Sequence, residues 1–481
     1  MKRLRLLAIM ALSLVLAMLL CGCSMGVSVE ELFTLPQLPE EYAGLSLALE
    51  ELLESGYEYV TPESGENIEP IQMVDLDGDG EKSAVVFLRR SGDENPLKIL
   101  VLDPAGDSYQ RICTIESRGA GVDCVLYRDM TSDGAKELIV GWRGAGEERT
   151  ATVYRVGRDC IPLARCAYSR FVVLSYDDSD TPCLVSIHTD ENQSLSADVY
   201  QWRSGVMSRM QQLGLSGTID DVRRGSLVCG TTANGSPALF ITGVNESDAA
   251  TTQLLVQRPG DDAVPVGQRL YVSLLYPAGE RYPASYAYCG LAPQDIDGDG
   301  ITEVPWAMAD GESAERYYPG GAMVNWSRCT GSGAAEMVTI TYHYASAGWY
   351  FTLPDTWWNV ASIASAHSVA GEERTTITIG GEVVAHLYTI TSDTRESRAV
   401  MDGRFIITRL SDAIIAGELT DVSAAYGVDQ ELLRDHFSLM VHTWGGRERY
   451  PYPLSIHRKS HLTKLSPQAW YTLFAKTSIS L

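Results

Sequence analysis

The stretch Val74–Leu88 reads VDLDGDGEKSAVVFL. Asp75, Asp77 and Asp79 stand at every second position, separated by Leu76 and Gly78, and after Gly80 the chain runs into an apolar strand. Carboxylates crowded this closely repel, so the pattern calls for something positive among them. Gly80 permits a backbone curl that lets alternate side chains converge. Such a set suits Ca²⁺, which takes roughly six to eight oxygens. The expected ligands are Asp75, Asp77 and Asp79, with the carbonyl of Glu81. Ser83, at the ninth position, contributes little or acts through water.

The pattern recurs. RDMTSDGAKELIVGW starts at Arg128 and QDIDGDGITEVPWAM at Gln294; Asp75 to Asp129 is a step of 54 residues. The second copy keeps Asp129, Asp133 and Glu137 but has Thr131 in place of an acid. The third is the most complete, with Asp295, Asp297, Asp299 and Glu303. Carboxylate count therefore ranks Asp295 first, Asp75 second and Asp129 third. Two eroded versions lie between, SYDDSDTPCLVSI from Ser175 and GTTANGSPALFIT from Gly230; they lack acids at the first, third and fifth loop positions together and are expected to be empty. An acidic turn without metal is the competing account of all three loops. An EF-hand is excluded: its twelfth position needs Glu, and here stand Val86, Val140 and Trp306, with strands and not helices on the flanks.

Each copy is followed by a strand, a turn rich in Gly, Asp or Glu, and further strands. KILVLD, ATVYRV, ADVYQW and QLLVQR are matching second strands. About five four-stranded units at one period predict radial stacking, because one small sheet cannot bury both faces alone. The repeat resembles the FG-GAP/VCBS type of extracellular β-propellers, over somewhat more than half of the chain. That resemblance implies a propeller over residues 66–346, with Ca²⁺ fastening the strands on either side of each acidic loop and no chemistry at the ion.

Residues 1–23 read as a targeting segment: basic Lys2, Arg3 and Arg5, an apolar run from Leu6 to Leu20, then Leu20-Cys21-Gly22-Cys23. An ordinary cleaved signal or a short anchor would share the first two features. The last four residues resemble the lipobox of bacterial lipoproteins, which implies lipidation of Cys23 and a lipid-anchored, extracytoplasmic location. Hydropathy offers no second spanning segment. Residues 24–65 are a tether and an amphipathic helix, expected from Leu38 to Gly56.

The formal net charge is −24 over 481 residues, and without the basic leader it becomes −27. That excludes a nucleic-acid partner and favours cations. Eight of the ten cysteines lie beyond Cys23, without a C-x-x-C among them, so a zinc site is not expected; bridges and buried thiols are both open.

Residues 347–444 are expected to form a small α+β domain, an antiparallel sheet with helices on one side. Its opening, GWYFTLPDTWW from Gly348, resembles PsbP-like domains of surface lipoproteins. Asp429 to Met440 is expected as a helix. Trp349, Tyr350, Trp357 and Trp358 read as core, with a sugar-binding patch as the alternative. Residues 445–481 form a basic tail, six Lys or Arg against Glu448.

G-x-S-x-G, H-E-x-x-H and a phosphate-cradling Gly-Lys-Ser/Thr are all absent. The fold class is therefore mostly β, a calcium-loop propeller followed by a small α+β domain. The functional expectation is a non-catalytic, cell-surface lipoprotein that binds an unidentified protein or glycan and uses Ca²⁺ structurally. The alternative is an extracellular enzyme on polysaccharide or lipid, with its site at the propeller mouth.

Overall fold

The apolar run after the opening loop becomes strand Ser83–Arg89, and every side chain from Ser83 to Leu88 is buried. A strand covered on both faces must lie between two layers, and this sets the architecture. A computed structural model describes residues 42–175, 181–258, 266–277, 286–287, 290–307, 321–442 and 454–456. Cys23, the leader, the tether and nearly all of the basic tail lie outside these residues.

The protein is mostly β, built from several antiparallel sheets. In the first, Ile71–Val74, Ser83–Arg89, Leu97–Ala105 and Ser108–Ser117 pair in chain order, with Glu58–Tyr59 added beside Ser83–Arg89. The second holds Gly121–Arg128, Glu137–Arg143, Arg149–Arg155 and Ile161–Ala167. The third holds Arg170–Leu174, Cys183–Thr189, Leu195–Arg203 and Val206–Gly214. The fourth holds Ser226–Thr231, Pro237–Val244, Ala249–Gln257 and Leu270–Leu274. The fifth runs through Glu303–Ala307, Ala322–Cys329 and Ala334–Tyr344 to Trp349–Thr352. In the first four sheets the polar loop joins the first strand to the second. In the fifth, the bridge between Gln294 and Glu303 closes the same loop.

These sheets face one another in chain order through apolar clusters. Phe87, Ile99 and Val101 of the first sheet pack with Val125, Val140 and Trp142 of the second. Ile139 and Val153 meet Leu184 and Met207. Val185 and Val199 meet Ile241 and Leu255. Phe240 and Val256 meet Val304 and Cys329. Consecutive sheets thus share apolar clusters along the chain. One backbone bond recurs between loops. Lys136 N donates to Leu76 O (2.6 Å), and Thr302 N donates to Thr231 O (2.8 Å).

A disulfide, Cys113–Cys160, ties the last strand of the first sheet to the turn before the last strand of the second. Cys124, Cys166, Cys229 and Cys329 are free thiols, and Cys289 lies outside the described residues. The bridge spans 47 residues of sequence. Replacing both partners with Ser is expected to cost about 2–4 kcal/mol. Urea midpoints of the double variant and the oxidised parent test this; equal midpoints would show that the bridge constrains nothing.

The fifth sheet does not end with the repeat. Strand Trp349–Thr352 continues into Phe437–His442, and Leu454–Ile456 pairs beyond that. The helix expected over Asp429–Met440 is therefore corrected: Gln430–Asp435 is helical, Asp429 caps it by accepting from Leu432 N, and strand Phe437–His442 follows. Leu433, Phe437 and Met440 are buried, but the last two meet the core from a strand whose ladder sets Phe437 opposite Phe351. Helical spacing was coincidental there, and tertiary pairing overrode it. A separate five-stranded sheet, ordered Ala361–Val369, Glu372–Ile379, Glu382–Ile390, Ile414–Leu419, Phe405–Arg409, shares a core with the fifth. Trp349 and Trp357 are inside that core and Trp358 is packed against it, which bears out the core reading for all three.

The chain divides into two compact units, and all these sheets belong mainly to the larger. In the smaller, the expected N-terminal helix spans Ala43–Glu54, ending before Gly56 at φ +92°. Gly44 meets the carbonyl of Asp107 so closely that a Cβ would stand 2.1 Å from it. Among the described residues no helix is long and apolar enough to cross a membrane.

Candidate metal centre

Each acidic loop is a tight turn that its first Asp closes by accepting backbone amides. Asp75 accepts from Gly78 N at 2.8 Å. Asp129 accepts from Thr131, Asp133 and Gly134 amides at 3.2, 3.2 and 2.8 Å. Asp295 accepts from Gly298, Asp299 and Gly300 amides at 2.7, 3.0 and 3.0 Å. Gly80, Gly134 and Gly300 all have φ near +90° (91°, 92° and 88°), the curl expected at that position.

The loops differ in which carboxylates meet. Asp75, Asp77 and Asp79 converge, as do Asp295, Asp297 and Glu303; in each group one ligand oxygen per residue lies within 4.8 Å of the others. Asp299 is outside the second group, its Oδ1 accepting from Ile301 N at 2.7 Å. The two sites therefore present equal numbers of converging acids, not the larger number expected at Asp295. Glu81 is exposed, and its amide donates to Asp79. Ser83 turns to Asp103, donating at 2.5 Å. Asp129, Thr131, Asp133 and Glu137 form no such three-acid group among the described residues.

Glu303 is the distinctive residue. It is fully buried at the head of strand Glu303–Ala307. One carboxylate oxygen accepts from Ile296 N at 3.0 Å, while the other, Oε1, is buried without a hydrogen-bond partner. Burial, with the charges of Asp297, Asp299 and Asp295 adding to it, pushes its pKa up to about 7. A buried carboxylate oxygen beside two more carboxylates is costly unless a cation joins it. The donors are all hard oxygens, which suits Ca²⁺ or a similar hard ion and not zinc. The residues present thus fit a bound cation at both loops.

The fourth loop shows the alternative solution. Thr232 donates its hydroxyl to Asn234 Oδ1 (2.6 Å) and the Ser236 carbonyl (2.8 Å), closing the turn without charge. Part of the Ser175 loop lies outside the described residues.

Two residues escaped the sequence reading because they sit on the third strand of their sheets, about twenty residues from the loop. In the ladders, Asp103 follows Leu102, the partner of Ala84, and Arg155 follows Tyr154, the partner of Leu138. Both therefore face the ninth loop position, as Arg328 faces Glu303 directly. A sequence signal existed: a charged residue (Asp103, Arg155, Arg328) at the same place of three copies.

Geometry and site together define a protein of serially stacked antiparallel sheets with two acidic clusters suited to a metal ion. No family model and no curated protein matches the chain. Among solved structures, a rhamnogalacturonan lyase PL11 of Bacillus licheniformis is 12% identical with a TM-score of 0.27, covering 76% of this chain and 73% of that one. A hypothetical protein from Leishmania major is 11% identical with a TM-score of 0.22, covering 60% and 90%. Likeness at that level carries no argument about fold or function.

Proposed function

We propose that the chain is a non-catalytic, lipid-anchored surface protein in which a calcium-braced β-propeller presents a binding face to an extracellular protein or glycan. The observation that carries the reading is the Asp295–Asp297–Glu303 group, with its buried, unpartnered Glu303 oxygen. Five serially packed sheets with the loop at one recurring place support the propeller, whose closure into a ring is part of the proposal. The Cys113–Cys160 bridge supports an oxidising, extracytoplasmic setting. The lipobox-like Cys23 supports the anchor. Calcium here would be structural, at the affinity of about 10⁻⁴–10⁻³ M common to extracellular modules.

Equilibrium dialysis of the chelator-stripped protein against millimolar calcium at pH 8 is expected to find two bound ions per chain, one at each three-acid cluster. A count of zero would reject the brace. Labelled palmitate is expected to enter the parent and not Cys23→Ala; equal labelling would reject the anchor. A glycan array and a pull-down with the mature protein then identify the ligand class.

A further inference from the structure

The Asp129 loop shares its frame with the Asp295 loop. In both, the first Asp collects loop amides, and the ninth residue is a buried Glu that accepts the amide of the second, Met130 N at 2.8 Å and Ile296 N at 3.0 Å. Two things distinguish it. Thr131 replaces the acid of Asp297, and its hydroxyl donates to Glu137 at 3.3 Å. Arg155 reaches the loop from the facing strand: its Nη2 lies 3.5 Å from Asp133 Oδ2 and its Nε 3.5 Å from Glu137 Oε1, at ion-pair distance. The same guanidinium lies over the Trp202 ring of the third sheet, 4.7 Å from the centroid. The planar guanidinium thus faces acids on one side and an aromatic ring on the other, through charge and ring contact and not through hydrogen bonds, its Nε making none.

We propose that Arg155 is the cation of the Asp129 loop: its guanidinium, covalently tethered to the strand Arg149–Arg155, occupies the role that a metal ion has in the other two loops, closes this loop without metal, and latches the second sheet to the third through Trp202. The comparison rests on calcium being the ion at Asp75 and Asp295; the latch itself does not. The fold supplies an internal control. Arg328 faces Glu303 from the same ladder position, yet its guanidinium turns to Glu336 at 3.5 Å, and Glu303 Oε1 stays unpartnered. One loop has drawn in its arginine, and the other has left its acid open for an ion. The missing acid at Thr131 goes with the difference in charge: the Asp295 loop brings Asp295, Asp297 and Glu303 together, whereas here Asp133 and Glu137 meet one guanidinium.

Thermal melts of the full protein in chelator test the latch. Arg155→Gln is expected to lower the melting temperature by about 2–4 °C, and Arg328→Gln to leave it unchanged. Asp133→Asn, exposed and safe for folding, is expected to lower it less but in the same direction. Arg155→Gln combined with Asp133→Asn should lose less than the two separate losses added, since both remove one interaction. Dialysis should find no third calcium in the parent. In Arg155→Gln, millimolar calcium should recover part of the loss, as an ion enters the vacated place. Unchanged melting of Arg155→Gln in chelator, additive losses in the double variant, or a third parental calcium abolished by Asp133→Asn would each overturn the proposal. Absence of all calcium binding would reject the metal reading alone, because the chelator melts still report on Arg155.

Discussion

Glu303→Gln is expected to change stability in opposite directions with and without calcium. In chelator at pH 8 the parent carries a buried carboxylate whose folded pKa, about 7, lies above the usual carboxylate value. Ionising it costs folding free energy, a cost that grows as pH rises from the free value through about 7 and is complete above it. Gln removes that charge and keeps an oxygen for Ile296 N, so the chelated variant should melt at or above the parent. In calcium the order reverses. At a hundredfold excess over Kd each occupied site adds about 2.7 kcal/mol by mass action, which gives the parent about twice the gain of the variant. Asp297→Ala should lose the same calcium gain, while Asp133→Ala, in the loop that meets Arg155, should lose none of it. A parental melting temperature that stays constant across millimolar calcium would refute the metal site. Equal harm from Glu303→Gln in chelator and in calcium would show that the acids serve hydrogen bonding alone.

The second large effect is an acid response centred on His343. The ring is buried, stacked on Tyr350 at 5.0 Å between centroids and lying 5.8 Å from Trp326, and neither nitrogen has a hydrogen-bond partner. Burial holds its pKa down to about 3. The folded state therefore keeps His343 neutral where the unfolded chain binds a proton. Stability from this residue is complete above the free value of about 6.5 and falls as pH drops toward about 3. At 1.36 kcal/mol per pH unit the loss is on the order of 4 kcal/mol at the acid end. His343→Phe keeps an aromatic ring in the stack and cannot titrate. A change in packing shifts its stability by a constant at every pH, and the acid limb between pH 6 and pH 4 should be flatter. Parallel urea midpoints across that range would mean that His343 accepts a proton in the folded state at no cost.

The legible part of the fold was what one strand and its loop encode locally. Acids at alternate positions ending in Gly80, Gly134 and Gly300 announced a curled turn, and the turn is there with positive φ in each case. The apolar runs after them are buried strands, and the recurrence near fifty residues became successive sheets that cover one another. Local periodicity failed at Phe437–His442, because a helical and a strand reading of Phe437 and Met440 differ only in what lies opposite, and Phe351 decides that.

Which loops could hold charge is written along the chain, because carboxylates at fixed spacing within nine residues must share one turn. What faces each of those charges is a matter of strand pairing and packing. Asp79 and Asp299 both accept the amide two residues on, yet only Asp79 joins its cluster; whether Ser83 is a ligand depends on Asp103 across the ladder; whether the Asp129 loop needs an ion depends on Arg155 and on a tryptophan of the next sheet. The physical reason is range. Turn geometry is set by neighbouring dihedrals, whereas the charge balance of a loop is set by whatever side chain the strand pairing and the stacking of sheets bring within a few ångströms of it.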